Sequence, residues 1–135
     1  MQFDFERFTK LFARAYPVAR YGRIKQSGTD SGLFSYNDAL EVFRLYFSAY
    51  KYYTGYVHPP LKRGKIVDLI QRMDSCETPE NSPHSEMDFE PEDYPDLIRA
   101  HFQTKYRNCD YNICHFFSGC IRYLRCWDAV ITDRI

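Results

Sequence analysis

Apolar residues recur along the start of the chain with the spacing of a helix. Phe5, Phe8, Phe12 and Ala15 fall at i, i+3, i+7 and i+10, with Leu11 beside them, while Arg7, Lys10 and Arg14 occupy another face. Side chains three and four apart share one side of an α-helix, so the pattern predicts a helix over 3–16. Pro17 comes next. It lacks a backbone N–H and its ring clashes with the preceding turn, which predicts a stop. Residues 18–34 contain three glycines and no sustained period, and read as a loop.

Ser35, with Asp38 three residues later, has the spacing of a helix start, and the pattern then predicts a helix to about Tyr53. Its polar positions Glu41, Arg44, Ser48 and Lys51 form one narrow stripe, while Ala39, Leu40, Val42, Phe43, Leu45, Tyr46, Phe47 and Tyr50 fill the remainder. So thin a polar face predicts a central helix covered by several neighbours. After the break at T-G-Y-V-H-P-P, Pro60 or Pro59 is expected to open a third helix at its first position, running to Met73 and burying Ile66, Leu69, Ile70 and Met73. Tyr94-Pro95 predicts a fourth helix with Leu97, Ile98, Phe102 and Tyr106 inward. Asp110 is expected to cap a fifth, whose apolar stripe is Ile113, Phe117, Cys120, Leu124 and Trp127. The expectation is therefore all-α: a compact single-domain bundle of about five helices over 1–135, with a long acidic loop at about 75–93 between helices 3 and 4. A chain of 135 residues is long enough to bury such a core without disulfides.

Composition changes this picture in two ways. With 11 Phe and 12 Tyr, much of the core must be ring against ring, and every buried Tyr hydroxyl needs a partner. The formal net charge of zero hides a segregation. Nine acids and no Lys or Arg lie between Asp74 and Asp96; the other nine acids share the rest of the chain with all 18 bases, which leaves +9 on the body and −9 on the segment. Met1 leads into the charged Q-F-D-F-E-R-F-T-K, and no apolar run reaches the length of a membrane span, so no leader and no membrane segment are expected. A cytoplasmic setting with free thiols is then the expectation for the five cysteines.

Four of those cysteines, Cys109, Cys114, Cys120 and Cys126, crowd the last predicted helix. Their spacing contains no C-x-x-C. Cys114 and Cys120 sit on or beside the apolar stripe, whereas His115 and Cys126 share the opposite side about 16 Å apart along the axis. Bonds of about 2 Å to one zinc ion cannot bridge that gap. Cys114 and His115 are neighbours on a helix and face different ways, so they do not pair as nucleophile and base. Small core hydrophobes are the expectation for Cys114 and Cys120. No metal, no cofactor and no catalytic residue is predicted, and no phosphate-binding glycine loop or hydrolase motif is present.

The basic groups and the acidic segment are the remaining signals. Arg20, Arg23 and Lys25 surround Tyr21, and Lys62, Arg63 and Lys65 gather where a helix begins, a place where cations do not help the helix dipole. Lys and Arg interleaved with aromatic rings suit phosphate contacts combined with base stacking; they equally suit a solvated surface or a protein partner. Glu86, Asp88, Glu90, Glu92 and Asp93 form an acidic candidate partner-binding loop, for which three readings stand: a solvated loop, a latch onto the basic body, or an imitation of a nucleic-acid backbone. Together these predict a small non-enzymatic binding protein that regulates or inhibits a nucleic-acid-processing protein complex, of the type that phages and mobile elements encode against host defence nucleases. Direct nucleic-acid binding through the basic loops is the alternative. A second alternative rests on R-N-C-D-Y-N-I-C-H, Arg107 to His115, which resembles the Arg-x4–6-His motif of HEPN-type helical ribonucleases with seven intervening residues, one more than that motif has. The resemblance covers nine residues and implies metal-independent RNA cleavage by Arg107 and His115.

Overall fold

A computed structural model describes residues 4–27, 34–74 and 91–117. They form an all-helical bundle with no sheet among them: α1 (Phe5–Ser27), α2 (Tyr36–Thr54), α3 (Arg63–Asp74), a 3-10 turn (Pro91–Asp93), α4 (Tyr94–Gln103) and α5, described over Ile113–Phe116. Most of the predicted acidic loop, including Glu86, Asp88 and Glu90, lies outside the described residues, as do Cys120 and Cys126.

The capping prediction for α2 holds. The Ser35 Oγ accepts the Asp38 N–H at 3.1 Å, satisfying one of the orphan donors of the first turn. At the other end Gly55 adopts φ +78° and its N–H bonds the Lys51 carbonyl at 2.9 Å, a left-handed cap that a residue with a Cβ would adopt only under strain. Between the caps, Ala39, Val42, Phe43, Tyr46, Phe47 and Tyr50 are buried.

Two predicted boundaries are corrected. α1 does not stop at Pro17 but continues to Ser27. The proline removes one backbone hydrogen bond, yet the turns beyond it are held by tertiary contacts. Ala19 is buried, its carbonyl accepts the Gln71 amide at 3.4 Å, and the Arg20 guanidinium is bonded to the Tyr16 hydroxyl and the Phe34 carbonyl. Packing overrides the local breaker. α3 starts at Arg63, after Pro59 and Pro60 rather than at either. Its predicted inward residues Ile66, Leu69, Ile70 and Met73 are all buried.

α1 packs along α3, and α2 along α4. Phe5 lies by Val57 and His58 while Ala19 meets Gln71, so α1 and α3 run parallel. Leu45 lies by Pro95 and the Tyr53 ring stacks on Phe102, so α2 and α4 also run parallel. In α4, Leu97 and Ile98 are buried as predicted, while Phe102 and Tyr106 are half-buried and Tyr106 lies beyond the helix end. The cap of α5 is Asn112, not Asp110: the Asn112 Oδ1 accepts the His115 N–H at 3.1 Å. Asp110 instead braces that cap, accepting the Asn112 backbone N–H at 3.2 Å and its side-chain amide at 3.0 Å.

Candidate partner-binding surface

The basic residues expected to act together are spread along the body. Arg20 is half-buried. Its guanidinium lies 5.0 Å from the centre of the Tyr16 ring and bonds both the Tyr16 hydroxyl and the Phe34 carbonyl, so it clamps the end of α1 to the start of α2. Tyr21 is exposed, and Arg23 and Lys25 continue the helix. Lys62, Arg63 and Lys65 are exposed at the start of α3. Gln71 is level with Ala19, so Lys65, six residues earlier, stands about 9 Å along the axis from Ala19 and about 10.5 Å from Arg20. Of the acidic candidates, Glu92 is exposed and Asp93 half-buried in the 3-10 turn that precedes α4.

Arg107 is exposed in the turn after α4. His115, expected on an outer, solvated side, is instead half-buried, with its ring 5.2 Å from that of His101 and 4.8 Å from that of Tyr106. The histidines form the polar part of the interior. His58 is buried: its Nε2 accepts the Ile113 N–H at 3.0 Å, which leaves the ring proton on Nδ1, donated to the Pro59 carbonyl at 2.7 Å. His101 is fully buried among the rings of Tyr46, Phe102, Tyr106, Tyr111 and Phe116, and among the described residues neither of its ring nitrogens has a hydrogen-bond partner. Burial, with the His115 charge adding to it, brings the His101 pKa down to about 3. Burial also lowers His58 and His115, against an opposing pull from Asp110. The Cys109 and Cys114 thiols are pushed up by burial, so both are held protonated. Among the described residues no group of three or more His, Cys, Asp or Glu is placed to hold a metal ion.

The feature that sequence reasoning missed lies on the outer side of α2. A groove of about 500 Å³ runs between α2 and α4, with Leu45, Ser48, Ala49, Tyr52 and Tyr53 from the first helix and Pro95, Ile98 and Arg99 from the second. A second hollow of about 350 Å³ flanks the other side of the same ridge, reaching Arg44, Ser48, Lys51 and Val57. Tyr52 is 82% exposed, Tyr56 75%, Val57 41% and Tyr53 40%. Scattered exposed apolar residues are ordinary, but Tyr52 and Tyr53 stand together on the lining of an apolar groove, and Val57 lines the hollow beside it, a patch of the kind that marks interaction sites. The sequence did carry a signal. The polar stripe of α2 is too narrow to cover its outer side, and the apolar positions next to it had to meet either another helix or solvent.

No family model, no curated protein and no solved structure matches the chain. Among the described residues no helix is long and apolar enough to cross a membrane.

Proposed function

We propose that this chain is a non-enzymatic binding protein that docks on a protein partner through the α2–α4 face, and that the partner belongs to a nucleic-acid-processing complex which the docking regulates or inhibits. The observation that carries the reading is the apolar groove with Tyr52 standing almost fully exposed on its rim. Tyrosine supplies a large, rigid contact area with a polar tip, and is enriched where proteins meet. The charge segregation of the sequence, +9 on the body against −9 between Asp74 and Asp96, supports the nucleic-acid side of the reading.

The test is capture from lysate by the tagged chain, by Tyr52→Ser and by Ala49→Arg, each with and without nuclease treatment. The expected result is a protein complex that survives nuclease and is lost from both variants, with their circular dichroism unchanged. Equal capture by the variants would remove the face from the reading. Retention of nucleic acid alone, stripped by nuclease, would favour the second reading, direct binding, for which the exposure of Lys62, Arg63 and Lys65 speaks. Affinity would then fall steeply with salt and again when these three become Ala.

A further inference from the structure

Resting on that reading of the α2–α4 face, we infer that the groove takes an amphipathic helix of the partner protein, laid antiparallel to α2, with acidic residues in its first turn and basic residues in its last.

The shape argues for a helix. From Leu45 to Tyr53 the groove runs along α2 for eight residues, about 12 Å, which matches the roughly 10 Å between the first and last anchors of an i, i+3/i+4, i+7 apolar stripe. Ile98, 2% exposed, lies at the apolar floor. The walls are already set. The Tyr53 ring lies flat on Phe102, with centroids 5.1 Å apart and planes 5° from parallel, and Tyr52 meets Tyr53 edge-on at 5.0 Å. Side chains fixed before binding lose little freedom on binding.

The charges give the direction. Because α2 and α4 run parallel, both begin at the same end of the groove. Asp38 in the first turn of α2, Asp96 in the first turn of α4 and Glu92 in the 3-10 turn, which touches α2, all belong to that end. Lys105, just past α4, belongs to the other, whereas Lys51, in the last turn of α2, lines the hollow on the opposite flank of the ridge. Arg44 is held by Glu41, and Arg99 by Asp96 at 3.5 Å, so these two pairs largely cancel. Asp38 and Glu92 at one end, and Lys105 at the other, are exposed and take part in no ion pair among the described residues. A helix entering antiparallel sets its N-terminal turn towards Lys105 and its C-terminal turn towards the acids. Its macrodipole then opposes those of α2 and α4, and the acids and bases that ordinarily compensate a helix dipole meet opposite charge on this face. A parallel helix of the same composition would meet like charge at both ends.

The probe is a displayed library of peptides of about 16 residues, four turns long, with Leu, Ile or Phe at three helical anchor positions and Glu, Lys or Ser randomised in the first and last turns. Panning on the full chain is expected to enrich acid-first, base-last peptides. Their affinity should fall at least about tenfold on Ala49→Arg, and about two- to fivefold on Lys105→Glu, with recovery when a first-turn Glu of the peptide becomes Lys. Enrichment of base-first peptides, or the lack of any binder sensitive to Ala49→Arg, would overturn the inference. Sedimentation equilibrium of the unliganded chain is expected to report a monomer; a dimer dissolved by Ala49→Arg would assign the groove to a second copy instead and equally overturn it. If lysate capture still depends on Ala49 and Tyr52 while the library returns the reversed pattern, the inference alone falls. If capture is indifferent to both residues, the reading beneath it falls too.

Discussion

Between α1 and α2 the interior is carbon against carbon: Phe8 packs on Phe43 and Phe47 with ring centroids 5.0 Å apart, and Phe12 on Phe43 at 5.7 Å. On the far side of α2 the same helix turns Tyr46 and Tyr50 towards His58, and Tyr46 towards His101, Phe102 and Phe116. There the packing depends on polar atoms being placed. The Tyr46 hydroxyl donates towards the Tyr111 and Asn112 carbonyls, and Tyr111, a bulky residue held at φ 59°, is kept in place by its own hydroxyl, which donates to the Thr104 carbonyl at 2.7 Å and accepts the Tyr106 N–H at 3.0 Å. The first half depends mainly on shape, with the Arg20 and Tyr16 bonds to Phe34 at its edge. The second needs shape, hydrogen bonds and uncharged histidines, so acid acts on it first and reaches the first half only where His58 meets Phe47.

The largest effect expected on either half is the loss of a whole ring. Phe12 is fully buried, and Phe12→Ala should cost about 3–5 kcal/mol of unfolding free energy, the same at pH 7 and pH 5 because the rings around the cavity do not titrate between those values. Denaturant melts at the two pH values check this. A pH-dependent loss would mean that the two halves are coupled more closely than their chemistry suggests.

Acidification is the complementary probe. The folded-state pKa of His101, about 3, lies below the unfolded value of about 6.5, so in acid the unfolded chain takes up the proton first. Stability is fully present above the unfolded value and falls as the pH drops below it. From this residue alone the decline is about 1.4 kcal/mol per pH unit until the folded chain is itself protonated near pH 3. His58 and His115, also lowered, act in the same direction. His101→Leu should flatten the decline between pH 6 and pH 4 by about one proton. Removing an imidazole whose nitrogens have no partner among the described residues is close to neutral at pH 7. An unchanged slope in this variant would show that acid acts elsewhere.

His58→Phe is a finer cut. The ring contacts with Tyr46, Phe47 and Tyr50 are retained, but the Ile113 N–H loses its acceptor in a buried place. The expected cost is about 1–3 kcal/mol, with faster hydrogen exchange at Ile113 and unchanged exchange in α1. Equal acceleration in both would make the bundle one cooperative unit rather than two separable halves.

How much of this was legible depends on how local each cause is. α2 could be read from its cap and its stripe, because Ser35 and Asp38 act over three residues and Gly55 over one turn. α1 past Pro17 could not. The turn after Pro17 is braced by Gln71 on Ala19 and by the bond from Arg20 to Phe34, contacts with no local trace. The histidine cluster has the same character. His58, His101 and His115 come from the loop before α3, from α4 and from α5, and only the packing of those elements on α2 makes them neighbours. The groove was half legible. The narrow polar stripe of α2 was visible, but whether Leu45, Ala49, Tyr52 and Tyr53 would meet another helix depended on how closely α4 approaches.

The smallest expected effect on stability is also the one that separates folding from function. Tyr46 and Tyr52 lie six residues apart on one helix and differ from 0% to 82% exposed. Tyr46→Phe leaves the Tyr111 and Asn112 carbonyls without the Tyr46 hydroxyl and should cost roughly 1 kcal/mol, with partner capture intact. Tyr52→Ser removes a ring that meets mainly Tyr53 and solvent, and should leave the unfolding free energy within about 0.5 kcal/mol. The same substitution should abolish or strongly weaken capture of the partner, because a rim tyrosine beside an apolar groove is the type of residue on which binding energy concentrates. Denaturation and capture measured on the one pair of variants therefore cross over: one loses stability and keeps binding, the other keeps stability and loses binding. If Tyr52→Ser lowers both or neither, the outer face of α2 is part of the fold or bare surface, and the partner site has to be sought elsewhere, first among the exposed lysines and arginine that open α3.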